Sequence, residues 1–163
     1  MSVAATASKP LPAALISGLV VVAAATIGNL ATMPAIPTWY AGLVKPSFNP
    51  PNWLFGPVWG LLYAMMAVAF WRVLRKPAAV EGRTAAIAAF LVQMALNALW
   101  SVAFFGAKSP SLGLLVIAAL WLAIAATIAL FRRVDRAAAT LLLPYIAWVS
   151  FAALLNGAIW RLN

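Results

Sequence analysis

The chain is 163 residues long and carries a net charge of +9, yet only 8% of its residues are charged and 66% are hydrophobic. Its mean hydropathy is +1.02. A soluble domain carries about a quarter charged residues, so this composition belongs to a membrane protein and leaves no hydrophilic part for a second domain. With neither Cys nor His in the sequence, disulfides, thiolate metal sites and imidazole ligands or bases are excluded.

Residues 1–10 are small and polar with one Lys, and are expected to be disordered. The apolar run 11–33 is then long enough to cross a hydrocarbon core of roughly 30 Å. A signal peptide would have an apolar segment of only about 7–15 residues and a small-residue cleavage site, and neither fits. The connection 34–52 contains Pro46, Pro50 and Pro51, which remove backbone donors and stiffen it. Trp39 and Phe48 lie within it and Trp53 at its end. Such a stiff aromatic segment reads either as a lid over a pocket or as an interfacial anchor.

The second span is expected at 53–71, with Pro57 in its first turns, where a missing donor is tolerated. Arg72, Arg75, Lys76, Glu81 and Arg83 mark a polar connection before the third span, 84–105. Ser109 is a fitting N-cap with Pro110 behind it, opening the fourth span at 111–131. Arg132, Arg133, Asp135 and Arg136 precede the fifth span, 137–160, which Pro144 should kink by freeing the carbonyl of Thr140. The fold class read from this pattern is an all-α integral membrane protein, a five-helix transmembrane bundle in one domain.

The basic residues lie between the spans rather than in one patch, so they read as topology signals and not as a nucleic-acid surface. Eight of the 11 Lys and Arg residues share the side of the amino terminus, which places that terminus in the cytoplasm under the positive-inside rule. No ionisable side chain falls near the middle of a span, which argues against a proton relay or ion path. The two acids, Glu81 and Asp135, both sit in connections, so paired-carboxylate catalysis has no candidates and neither does metal binding. No internal repeat of the kind built into many transporters is visible.

Helical spacing gathers the remaining polar and aromatic residues into stripes. Gln93, Asn97 and Ser101 share a face of the third helix, flanked by Trp100. Trp59, Tyr63, Met66 and Phe70 do so on the second, and Tyr145, Trp148, Ala152 and Asn156 on the fifth. Either the amides join helices to one another, for about 0.6–2 kcal/mol each, or the indoles wall a pocket in which the amides orient a large apolar ligand. Gly56 and Gly60 form a G-x-x-x-G that fits close helix packing, within the chain or across a dimer.

The run W-Y-x-x-L-x-K-P-x-x-N-P-P-x-W-x-F-x-x-x-W-x-x-L-Y-x-x-M over 39–66 resembles the signature of the TspO/MBR family, the tryptophan-rich sensory and translocator proteins that include the peripheral-type benzodiazepine receptor. The stretches 93–106 and 144–156 continue the resemblance over nearly the whole chain. It implies a membrane protein, here a bacterial inner-membrane one, that binds, senses or transports protoporphyrin-type tetrapyrroles without an obligatory cofactor. Sterols and isoquinoline- or benzodiazepine-type drugs are further implied ligands, with lipid around the protein and a homodimer as its assembly. The family's pocket tryptophans match Trp59 and Trp148, its third-helix amide matches Asn97 with Trp100 nearby, and Ala152 matches a small fifth-helix position tied to ligand binding. With Trp39, Phe48, Tyr63 and Tyr145, these residues make up the expected ligand site. The lack of His favours a metal-free porphyrin. The segment Leu155–Arg161 lacks the Tyr of the animal members' sterol motif, a weak pattern in any case. An alternative implied by the resemblance is light-dependent oxidative breakdown of bound protoporphyrin, with Trp59 and Trp148 as redox partners, and a plain membrane scaffold is the third reading.

Overall fold

The computed structural model describes residues 10–163; the expected disorder of residues 1–9 lies outside the described residues, and Pro10 already belongs to the first helix. In chain order the elements are α1 (Pro10–Thr32), a π-helical turn (Ile36–Tyr40), α2 (Asn52–Leu74), α3 (Arg83–Ser101) running on into a second π turn (Val102–Gly106), α4 (Pro110–Val134), α5 (Arg136–Thr140) and α6 (Leu143–Leu162). The described residues contain no strand, and five helical segments are long and apolar enough to cross a membrane.

The fifth span departs from the expected single helix over 137–160. Asp135 caps α5 by accepting from the Ala138 amide at 2.9 Å, and a turn at 141–142 follows before α6 begins. Pro144, which has no N–H to give, lies in the first turn of α6, where none is required. The break therefore precedes the proline instead of forming a kink at it. Ser109 and Pro110 open α4 as their chemistry dictates, with the Ser109 hydroxyl accepting from Leu112 N.

Each long helix buries a seam and leaves apolar side chains facing outward. On α1 the buried residues are Ala13, Ser17, Val21, Ala24 and Gly28, a narrow stripe at helical spacing. Leu11, Leu15, Leu19 and Leu30 point away from it, as expected where lipid replaces water as solvent. Polar atoms then tie helices together. Ser17 Oγ donates to the Ala67 carbonyl at 2.6 Å, and Trp71 Nε1 donates to Pro10 O at 3.3 Å.

Two packing centres divide the bundle. At the end holding the α2–α3 and α4–α5 corners, Phe70, Phe90 and Phe131 stack at 4.2 and 5.8 Å between ring centres. Toward the opposite end, Asn156 joins three elements: it donates to Pro110 O at 2.8 Å and accepts from Trp100 Nε1 at 3.3 Å. Gly113 makes that approach possible, since a Cβ there would lie 2.6 Å from Asn156 Oδ1 and 2.9 Å from Phe104 Cδ2. Gly56 and Gly60 play no such part. Among the described residues, and apart from the adjoining backbone of α2 itself, nothing comes within 4 Å of a Cβ at either position.

The corner at Asp135 is electrostatic. Its carboxylate is buried and meets Arg72 at 3.1 Å and Lys76 at 2.9 Å. Burial pushes the Asp135 carboxyl upward, but the Ala138 amide and the Lys76 and Arg72 cations outweigh it and hold the group below its ordinary value. One carboxylate thus fastens the end of α2 to the α4–α5 corner.

Candidate ligand-binding site

Between α1, α2, α3 and α6, on the side of the proline-rich connection, lies a cavity of about 850 Å³. This falls within the range of roughly 300–1,000 Å³ typical of small-molecule sites. Its wall carries Trp53, Trp59, Trp100 and Trp148 together with Tyr40, Tyr63, Phe55, Phe104 and Phe105. Among the described residues no charged side chain lines it.

The rings hold one another in place. Trp59 lies against Tyr63 at 5.4 Å and edge-on to Tyr145 at 6.3 Å. Trp148 meets Phe55 at 5.9 Å and Phe151 at 5.5 Å, and Trp100 stacks on Phe104 at 5.5 Å. Each such pair is worth about 0.5–1.5 kcal/mol beyond area burial, so the wall is preformed.

Two wall donors differ in what they can offer. The Trp100 N–H is occupied by Asn156. The Trp148 N–H is buried and has no acceptor among the described residues.

Of the expected site residues, Trp59, Tyr63, Trp100, Trp148 and Ala152 line the cavity. Asn97 and Tyr145 are not on the wall. They are buried behind it, where Tyr63 donates its hydroxyl to Asn97 Oδ1 at 2.9 Å and Asn97 Nδ2 donates to the Tyr145 oxygen at 3.0 Å. Both polar atoms of the amide are engaged in joining α2, α3 and α6. Gln93, one turn away on the same face, is buried with neither amide atom partnered among the described residues.

The connection over the cavity end is held from several directions. Tyr40 is buried, lines the cavity and donates to Asn49 Oδ1 at 3.0 Å; burial raises its hydroxyl pKa, keeping it a neutral donor. Lys45 Nζ sits 4.7 Å from the Tyr40 ring centre. Val44 exchanges two backbone hydrogen bonds, both 3.0 Å, with the side chain of Asn163. Trp39 packs edge-on to Phe104 and Phe105 outside the wall, and the half-exposed Phe48 leans on Phe151. Of the three aromatics expected to form the lid, only Trp53 reaches the cavity.

Sequence reasoning did not anticipate the share of α1, which brings Val22, Thr26 and Asn29 to the wall. Thr26 and Asn29 are the polar residues of an otherwise apolar stretch, and their spacing of three was the available signal. Gly56 and Gly60 also face this space, so the G-x-x-x-G leaves room for an occupant instead of bringing two helices of the chain together.

A profile of the TspO/MBR family matches residues 17–161. The chain belongs to this family. It is 46% identical over 125 residues to the tryptophan-rich protein TspO of Chlorobaculum tepidum, covering 77% of this chain and 79% of that one. To the tryptophan-rich protein TspO of Archaeoglobus fulgidus it is 42% identical over 145 residues, covering 89% and 93%. The human translocator protein is 40% identical over 126 residues, covering 77% and 75%. Membership and the five apolar helices make this TspO/MBR chain an integral membrane protein. The signature segment 39–66 supplies five of the nine aromatic residues named on the cavity wall, from Tyr40 through Trp53, Phe55 and Trp59 to Tyr63.

Proposed function

We propose that the chain binds, and thereby senses, porphyrin-type tetrapyrroles and other flat hydrophobic ligands in the α1–α2–α3–α6 cavity. The observation that carries this reading is a space of about 850 Å³, free of charged side chains among the described residues and walled by four indoles, one of them with a buried N–H that has no acceptor there. Flat π-systems gain most from such walls, because stacking adds to the burial of apolar area. A buried N–H without an acceptor costs about 1–3 kcal/mol, so a ligand that brings a carbonyl, carboxylate or ring nitrogen to Trp148 recovers that energy.

Tryptophan quenching by protoporphyrin in detergent, against haem and cholesterol, tests the reading. Saturable binding should weaken about tenfold or more in Trp59→Ala and Trp148→Ala. Trp148→Phe should lose the part due to the N–H. Ala152→Thr should weaken binding by narrowing the wall. Linear, unsaturable quenching would end the proposal. Trp121, which is bonded to Ser150 away from the cavity, is the control, and Trp121→Ala should leave binding unchanged.

The contact of Trp59 with Tyr63 and Tyr145 favours testing a second reading in which bound protoporphyrin is oxidised by dioxygen under light. Loss of the porphyrin absorption in light but not in darkness, abolished in Trp59→Phe, would support it. On orientation, the chain reads as an inner-membrane protein with a cytoplasmic amino terminus, so reporter fusions after Lys76 and after Lys108 should report opposite sides. As a homodimer, it should cross-link to twice its mass in native membranes.

A further inference from the structure

A second recess, of about 270 Å³, lies at the opposite end of the molecule and is lined by Trp71, Arg72, Arg75, Lys76 and Asp135. We propose that it binds the phosphate group of an anionic phospholipid. Three cations meet one carboxylate here, and that carboxylate is already shared between Arg72 and Lys76 and with the Ala138 amide. Arg75 is exposed and lies 4.9 Å over the Trp71 ring. Its guanidinium donors have no protein acceptor among the described residues. An arginine plane pinned on an indole presents its fork ready for the paired oxygens of a phosphate, with little further rotamer entropy to lose. Exposed Arg132, Arg133 and Arg136 on the neighbouring corner add to the positive field.

The position of the recess selects a lipid over a free anion. Trp71 donates to the carbonyl of Pro10, and the next residues along α1, Leu11 and Leu15, point outward with 69% and 65% of their surface exposed. The recess thus sits where α1 enters the hydrocarbon. A headgroup phosphate could lie on Arg75 while its glycerol and acyl chains run down the apolar face of α1. The indole of Trp71 suits this boundary, with one end apolar and the other hydrogen-bonded.

Native mass spectrometry of protein released from nanodiscs of equimolar phosphatidylglycerol and phosphatidylcholine provides the test. Phosphatidylglycerol should be retained over phosphatidylcholine, and Arg75→Gln should reduce that retention about fivefold, the value of one cation near a charged headgroup. Arg75→Lys should fall between the two, because charge remains while the planar fork is lost. Arg133→Gln removes the same charge outside the recess, where only a screened share of the field is lost, and should reduce retention by less than about twofold. Equal losses in Arg75→Gln and Arg133→Gln, or equal retention of both lipids, would show a diffuse field without a site and overturn the proposal. Displacement of the retained lipid by millimolar glycerol phosphate would overturn the assignment to a lipid. The Arg75 side chain makes no hydrogen bond among the described residues, so its variants should keep the wild-type melting temperature and porphyrin binding.

Discussion

Asn97→Leu separates a strut from a ligand anchor. Asn97 is 2% exposed and bridges Tyr63 and Tyr145 through hydrogen bonds of 2.9 and 3.0 Å. Leucine fills a similar volume and has no polar atoms, so the perturbation is confined to those two bonds. Tyr63 lines the cavity and can redirect its hydroxyl to a ligand or water. Tyr145 is 1% exposed and its hydroxyl has no other protein partner among the described residues. An orphaned buried hydroxyl costs about 1–3 kcal/mol, while hydrogen bonds between membrane helices average about 0.6 kcal/mol with a maximum near 1.7. The expected loss of stability is therefore about 1–2 kcal/mol, read from unfolding in mixed micelles with increasing dodecyl sulfate. In the double variant Asn97→Leu with Tyr145→Phe the orphan disappears, and about 1 kcal/mol should return relative to additivity. Porphyrin affinity should change less than about threefold, because a strut behind the wall contributes less than a stacking indole. If stability is unchanged while affinity falls tenfold, the amide faces the ligand and the arrangement argued here is wrong.

Gly113→Ala should destabilise the fold by about 2 kcal/mol or more, because its Cβ would meet Asn156 Oδ1 at 2.6 Å in a packed interface. Gly56→Ala, with nothing within 4 Å of its Cβ, should raise the thermal midpoint slightly through helix propensity. Asp135→Asn should lower stability by about 1 kcal/mol near neutral pH, where two ion pairs with partly solvated cations are lost while the amide oxygen can still cap α5. Since folding depresses the Asp135 pKa, its contribution is fully present above the unfolded carboxyl value and is lost as pH falls through the folded one. Wild-type and Asp135→Asn melting curves should thus differ by a constant amount from pH 8 down to about pH 5 and converge only in stronger acid; a difference that vanishes by pH 6 would refute the assignment. Asn163→Ala should speed hydrogen exchange at the Val44 amide while leaving the amides of α3 protected.

Much of the candidate site was legible in the chain because indoles at helical spacing have few alternative uses. Trp59, Tyr63, Trp148 and Ala152 reach one cavity, as their shared helical faces implied. Asn97 and Tyr145 shared those faces too, yet the angular position of a residue on a helix does not say whether it stops at the wall or behind it. That depends on how closely the neighbouring helix approaches, and here the hydroxyls of Tyr63 and Tyr145 reach the amide first. Trp39 and Phe48 were drawn outside the wall by Phe104, Phe105 and Phe151, partners that no local pattern exposes. The glycines show the same limit, since Gly56, Gly60 and Gly113 look equivalent as letters and only Gly113 lies at a helix crossing.

Composition and periodicity alone determined that the chain crosses a membrane five times as helices. Backbone groups in hydrocarbon must be satisfied within their own segment, which makes span length a local property. The cap at Ser109 was equally local, because a side-chain acceptor three residues from its donor needs no tertiary partner. Tertiary structure decided where the void lies, which polar groups are already engaged and where the last span breaks. In lipid, no hydrophobic force ranks one apolar face above another. The positions of the helices therefore follow from small residues that permit close approach and from a few long-range hydrogen bonds, such as Ser17 with Ala67 and Asn156 with Pro110, which exist only once the helices have met.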